Sequence, residues 1–446
     1  MTEEKNVIDV ASVMETYRLP GLSLGILQDG ITELKSYGVA SKATGAPVDA
    51  TTVFGVGSIS KVFTATLAMR MVELGMLDLD APIIRYFPQL ALSDEAARNT
   101  VTMRHLLTHT AGFDGDGFED FGNADDALAN FVATFGKREQ VSPPGELWSY
   151  SNNGFGLAGA VLGHVAGSNY EAAMREYVLK PLGMHMTGFG QAPALRNSAT
   201  GYEFGDNGNE EERLPDSTTR SANPAGGVHS CIIDLLTFAR MHLGLAPFDN
   251  DDFLSQATRD EMQRTQVKVS SIEEWGIGWG KMLAGDTWAL EHGGWMSGYR
   301  AQLTLLPDRE AAFVMLTNGP LGHTALGELQ KAILADRFRL REVPQEHEID
   351  LEIARRYAGT YRQSHITATI EPSETHDGLV MRLKTKWRGE ANDSPILCQL
   401  RPITDEEFVI DGGEFDDGRI VFIRNDDGTV RYARILQRLC APVSER

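Results

Sequence analysis

The sequence predicts an α+β fold in two parts, and three observations predict it. β-Like segments stand near the N-terminus and again at residues 276–316, a long helix-rich stretch lies between them, and after residue 357 only short β-like runs remain. Strands placed at both ends of a helical segment are expected to join in one antiparallel sheet. The short strands that follow predict a separate antiparallel barrel or sandwich of about ninety residues. The predicted parts are residues 1–345 and 346–446, because 446 residues exceed what one hydrophobic core usually serves.

Taken in order, apolar residues at Val7, Ile8, Val10, Ala11 and Met14 predict a short helix over residues 7–17. Residues 22–27 and 31–39, joined through Gln28-Asp29-Gly30, form a predicted β-hairpin. Val62, Phe63, Leu67, Met71 and Leu74 then mark a buried helix whose first turn holds Ser58 and Lys61. A short helix is expected over residues 101–109. The segment 113–126, rich in Gly, Asp and Asn, reads as a solvated loop whose acidic spacing does not meet a calcium-loop pattern. Pro143, Pro144 and Gly145 keep the chain irregular as far as Tyr150, and residues 155–166 resume as a helix. Further helices are expected at 170–179 and 231–243, with a long polar irregular segment at 201–227. Strands follow at 276–282, 288–292, 299–306 and 311–316, and a helix at 325–338 closes this part. After a polar break at 343–349, β-like runs at 359–361, 366–370, 379–383, 408–410, 420–423 and 430–436 are separated by turns such as Asp377-Gly378, Asp417-Gly418 and Asp427-Gly428.

Composition narrows the function. An apolar content of 42% is that of a globular chain, and no run of about 18 uninterrupted apolar residues offers a membrane span. A net charge of −21 opposes phosphate-backbone binding, so nucleic acid is excluded as an expected partner; the same charge can attract cationic substrates. The start, Met1-Thr2-Glu3-Glu4-Lys5-Asn6, lacks a basic n-region and an apolar h-region, which predicts a cytoplasmic protein. Cys231, Cys398 and Cys440 are widely spaced and in no metal-ligand pattern, hence buried or free thiols.

Three separated sites carry chemistry. Ser58-Ile59-Ser60-Lys61 puts a hydroxyl and an amine on one helical face, where a desolvated lysine can take the serine proton. Alone it is weak, since Ser-x-x-Lys is expected on the order of once by chance in such a chain. Tyr150-Ser151-Asn152 sits on a constrained loop at a helix entrance, and His292-Gly293-Gly294-Trp295 lies on a predicted strand. Tyr150 by itself also fits an aromatic packing residue, His292 an ordinary strand histidine, and the glycine pair a bulge.

In this order the three resemble the motifs of the serine β-lactamases and penicillin-recognising DD-peptidases, particularly the branch with class C β-lactamases, D-aminopeptidases and related esterases. The resemblance extends over roughly residues 10–340 and takes in Leu106-Leu107-Thr108-His109-Thr110-Ala111-Gly112 and Pro224-Ala225-Gly226-Gly227. From Tyr357-Ala358-Gly359-Thr360-Tyr361 onward the chain looks like the lipocalin-like barrels appended to some relatives. The resemblance implies a β-lactamase/transpeptidase-like domain without metal or cofactor, in which Ser58 carries an acyl group. Lys61 and Tyr150 would share the proton, with the choice of base left open. Asn152 would orient Lys61 and bind a substrate amide, and the N–H groups of Ser58 and Trp295 would form the oxyanion hole. Gly293 and Gly294 would let substrate backbone approach. His292 departs from the lysine found in many relatives and carries less charge at neutral pH. A peptidase or amidase acting on small peptides or amides, D-residue-containing ones among them, is therefore expected ahead of an esterase or β-lactamase, and a non-catalytic ligand-binding homologue stands as the non-enzyme alternative. The acidic loop at 114–126 could line the entrance and favour a free amine, and the barrel could cover the site, stabilise the chain or mediate oligomerisation.

Overall fold

The computed structural model describes residues 9–117, 119–190, 197–205, 209–213, 219–249, 252–341, 347, 351–373, 378–386, 395–412 and 415–443. The expected features at Met1–Ile8, the domain boundary at 345/346 and Asp377 lie outside the described residues.

An eight-stranded antiparallel sheet is assembled from both ends of the first part of the chain. Its hairpin Gly21–Gln28 and Ile31–Gly38 joins Ala311–Thr317, followed in space by Tyr299–Leu306, Thr287–Met296, Gly280–Ala284, Glu273–Trp275 and Val267–Lys268. Residues 311–317 are buried throughout because both faces of this strand are covered. Ala311, Phe313 and Met315 pack towards the helices Val10–Thr16 and Gly322–Ala332, whereas Ala312, Val314 and Leu316 pack towards the helical region.

At the centre of that region lies the helix Ser60–Glu73, buried almost all round, with Phe63 stacked on Phe238 of the helix Ile232–Leu243 at 4.1 Å between ring centroids. Each such large side chain contributes about 1.5–3 kcal/mol on burial, so the helix carrying Lys61 is strongly anchored. The helix predicted from residue 155 begins earlier, as Asn152–Val165, because the Ser151 hydroxyl accepts from Gly154 N at 2.9 Å and caps it. Part of the segment expected to be irregular forms a small ribbon, Gly201–Phe204 with Glu210–Arg213.

The second part is a closed antiparallel barrel of Gly359–Gln363, Ile366–Pro372, Leu379–Thr385, Ile396–Pro402, Glu407–Asp411, Arg419–Arg424, Val430–Ile435 and Arg438–Pro442. Pairing of Tyr361 with Pro442 and of Arg362 with Ala441 closes it. Two of its strands, Ile396–Pro402 and Arg438–Pro442, extend what the sequence pattern predicted. The core includes Phe408, Phe422 and Tyr357, the last two stacked at 4.0 Å. All three cysteines are buried. Among the described residues no helix is long and apolar enough to cross a membrane.

Candidate active site

Ser58 stands in the single turn Gly57–Ile59 that enters the central helix, and it remains half-buried while its neighbours are fully buried. Gly57 has φ +51°, and a side chain there would come within 2.5 Å of Trp295 N and O. From the opposite side, a Cβ on Gly294 would stand 1.9 Å from Val56 O. These two glycines let the strand Thr287–Met296 press against the serine turn, bringing the backbone of Trp295 beside it. Gly294 thus makes room for protein backbone rather than for substrate, which corrects its expected role. Gly293 is exposed, and a Cβ there would meet only the end of the Gln302 side chain, so the approach from that side is open.

Lys61 Nζ lies 3.0 Å from Ser58 Oγ and donates to Ala225 O at 2.7 Å. Burial, reinforced by the nearby Arg438 cation, drives its pKa well below the usual lysine range, while Asp116 opposes the shift. A neutral amine has one lone pair and two N–H groups, so it can accept the Ser58 proton while donating to Ala225. Tyr150, also buried, hydrogen-bonds Ser58 and has its pKa raised, chiefly by burial, with the Ser58 bond and Arg438 pulling the other way. Its ring lies 4.8 Å from Lys61 Nζ. Burial favours the uncharged form of both groups, so they form one coupled proton-holding pair around the hydroxyl.

His292 is buried and pushed down to about 3, chiefly by desolvation. Its Nδ1 lies 2.7 Å from Gly293 O, a bond that requires the proton on Nδ1 and leaves Nε2 an acceptor. It is therefore an uncharged group at neutral pH. Asn152 does not reach Lys61 through any described hydrogen bond; its Nδ2 donates to Asp116 Oδ1 at 2.6 Å. Thus Ser58, Lys61, Tyr150, His292 and Trp295 come together around one turn, and Asn152 joins them through a carboxylate.

Three residues outside the expected set belong to this cluster. His109, with φ +58°, accepts Ser151 N on Nδ1 at 2.8 Å and stacks on Tyr150 at 4.4 Å, fixing the tyrosine ring. It falls within the Leu106–Gly112 motif, which was the available signal. Asp116 is buried, contrary to the solvated loop expected around it, and is bound to Arg438 at 2.8 Å. Arg438 comes from the barrel, and its guanidinium lies 4.8 Å from the Tyr150 ring centre. Nothing local in sequence signals that a barrel residue reaches this far. No group of three or more acidic, His or Cys side chains among the described residues is arranged to hold a metal.

A serine beside a buried lysine and tyrosine, on a helix set against an antiparallel sheet, defines the class of β-lactamases and penicillin-binding proteins. The chain belongs to the Beta-lactamase family, whose profile matches residues 9–336. Penicillin-binding protein 4 of Amycolatopsis lactamdurans is 33% identical over 362 residues, 78% of this chain and 94% of that protein. A beta-lactamase of Lysobacter lactamgenus is 32% identical over 235 residues, 52% of this chain and 58% of that protein. Among solved structures, that of SurE with D-Leu superposes with a TM-score of 0.77 at 26% identity over 97% of both chains. An octameric penicillin-binding protein homologue from Pyrococcus abyssi, at 21% identity and a TM-score of 0.68 over 97% of both chains, shares the fold.

Proposed function

We propose that the protein is a serine hydrolase that forms an acyl-enzyme on Ser58 with small peptides or amides, including ones that contain D-residues. The observation that carries this reading is the buried Lys61 amine 3.0 Å from Ser58 Oγ, with its ammonium form disfavoured. Ser58 Oγ attacks the substrate carbonyl carbon, and its proton passes to the Lys61–Tyr150 pair. The N–H groups of Ser58 and Trp295 receive the oxyanion. Collapse breaks the C–N bond, and the departing amine takes the proton from the pair. Water then attacks the ester, gives its proton to the pair, and Ser58 leaves reprotonated. Because Asp116 takes the Asn152 Nδ2, the Asn152 oxygen is the end suited to a substrate N–H.

The neutral His292 supports amides and peptides over substrates that need a cationic anchor for a carboxylate at this position. Similarity to a protein whose structure was solved with D-Leu supports D-residues in the substrate. The relatives named beta-lactamase support a second reading, in which the same Ser58 opens a β-lactam amide. Intact mass after incubation with a fluorophosphonate or a penicillin tests the nucleophile: one adduct is expected, and an adduct that survives Ser58→Ala would overturn the assignment. A panel of D- and L-residue p-nitroanilides, p-nitrophenyl esters and a chromogenic cephalosporin ranks the substrates. Faster turnover of the cephalosporin than of every anilide would favour the second reading.

A further inference from the structure

The last hairpin of the barrel, Val430–Ile435 and Arg438–Pro442, turns through Leu436 and Gln437, both with positive φ (+47° and +67°). Two-residue turns of this kind normally use Asn or Gly, so neither residue suits the turn. Strain of this sort persists only where surroundings impose it. Here they do: Gln437 O accepts from Tyr150 N at 2.9 Å, Leu439 N donates to Ser149 Oγ at 3.1 Å, and Arg434 donates to Trp148 O at 3.2 Å and Val269 O at 2.6 Å. The hairpin is thereby pinned along the segment that carries Tyr150.

From that turn Arg438 reaches Asp116. Arg438 Nε donates to Oδ2 at 2.8 Å and a terminal nitrogen donates to Oδ1 at 3.3 Å, while Asn152 Nδ2 donates to the same Oδ1 at 2.6 Å. The Asp116 carboxylate is wholly buried, and its backbone carbonyl lies 3.0 Å from His365 Nε2, another barrel residue. A carboxylate can only accept, so it admits a single orientation of the Asn152 amide. It also holds a cation against the face of Tyr150.

We propose that Asp116 is a positioning residue for acyl transfer, one that sets the Asn152 carboxamide and fastens the barrel's Arg438 beside Tyr150, so that the barrel hairpin completes the active site. This role rests on the acyl-enzyme reading above. The other titratable groups facing the cluster are Lys61, His109, His292, Asp114, His365 and Cys440. Arg438 lowers the proton affinity of both Lys61 and Tyr150. Removing its charge therefore makes their basic forms available only at higher pH.

The test uses the full chain and the rate at which a fluorophosphonate labels Ser58, followed by intact mass across pH. Labelling forms the Oγ–P bond, expels fluoride and delivers the serine proton to the Lys61–Tyr150 pair. Asp116→Asn, nearly isosteric, is expected to lower the saturating labelling rate by roughly tenfold or more, with the half-saturating reagent concentration little changed. Arg438→Gln should move the acid limb of the rate profile to higher pH, and Arg438→Lys should leave that limb near its wild-type position. The double variant Asp116→Asn/Arg438→Gln should be no slower than its slower parent, because both act through one contact. A wild-type rate in Asp116→Asn, an unmoved limb in Arg438→Gln, or fully multiplicative losses in the double variant would each overturn the proposal. Should Asp116→Asn fail to fold, the two Arg438 variants decide it by the limb alone. Absence of labelling in the wild-type chain would instead remove the acyl-enzyme reading, and this role with it.

Discussion

Ser58 owes its chemical setting to burial more than to any nearby charge. Lys61 is fully buried on a helix packed from every side, which disfavours its ammonium form beside the hydroxyl, and Tyr150 is kept a phenol for the same reason. Lys61→Met and Tyr150→Phe are each expected to slow acylation by orders of magnitude, on the order of a hundredfold or more, without loss of folded structure. Rapid-mixing labelling together with circular dichroism checks this, and a normal rate in either variant removes that residue from the proton path. A second titration belongs to stability. Burial and the neighbouring Glu291 push the Glu273 carboxyl up from its ordinary 4.5 to about 7, with Arg434, Arg419 and a hydrogen bond from Gln437 pulling it back. The folded state therefore binds the proton more tightly than the unfolded state. That contribution is complete below pH 4.5 and is lost as pH rises through about 7, a change of about 3 kcal/mol. Glu273→Gln, which can still accept from Gln437, should raise the Tm at about pH 8 and lose that advantage near pH 4. Equal Tm differences at both pH values would show that the Glu273 pKa is the same in the folded and unfolded chain.

At the scale of elements, the site depends on how closely one strand approaches one turn. Gly57 and Gly294 interlock across that junction, and both would-be side chains meet backbone, which cannot rotate away. Gly294→Ala is expected to displace the strand from the serine turn and to cut acylation by roughly tenfold to a hundredfold through the misplaced Trp295 N–H. The same substitution at Gly293, which faces open space, should cost far less, and equal losses at the two positions would contradict the close-packing account. Pattern reasoning succeeded where periodicity and turn chemistry agreed. The strand expected at 299–306 is observed over the same residues, and the hairpin signalled by Asp29-Gly30 forms Gly21–Gln28 with Ile31–Gly38. It failed for Arg438–Pro442, because Leu436-Gln437 carries none of the residues that announce a tight turn. It also missed Ile396–Pro402, where Cys398 and Leu400 face inward and Gln399 and Arg401 outward, because the exposed apolar Leu397 blurs that alternation and Pro402 ends it.

For the whole molecule, the barrel is fastened to the hydrolase-like part next to the chemistry. Arg434 reaches across from the barrel to the carbonyls of Trp148 and Val269, and burial lowers its pKa to about 10. Around it Ser271 bonds Glu407 and Tyr432 donates to Val141 O at 2.7 Å. Arg434→Met removes both cross-part bonds and leaves two buried carbonyls without that donor, at a cost of about 2–4 kcal/mol. Scanning calorimetry is expected to show the barrel and the larger part melting further apart in this variant. An unchanged melting profile would mean that the other contacts suffice. What the sequence alone determined is local in origin: the order of strands and helices, the two-part architecture, and the Ser58–Lys61 pair, which helical spacing places on one face. The motifs at Tyr150 and His292 could be named from residue order and family resemblance. Only tertiary structure decided that Asp116 is buried, that Asn152 is held by it, and that Arg438 stands at Tyr150. Asn152 and Asp116 are 36 positions apart and Arg438 is 322 from Asp116, and Arg438 arrives there because a strained hairpin is pinned by hydrogen bonds that leave no periodicity, spacing or composition to read.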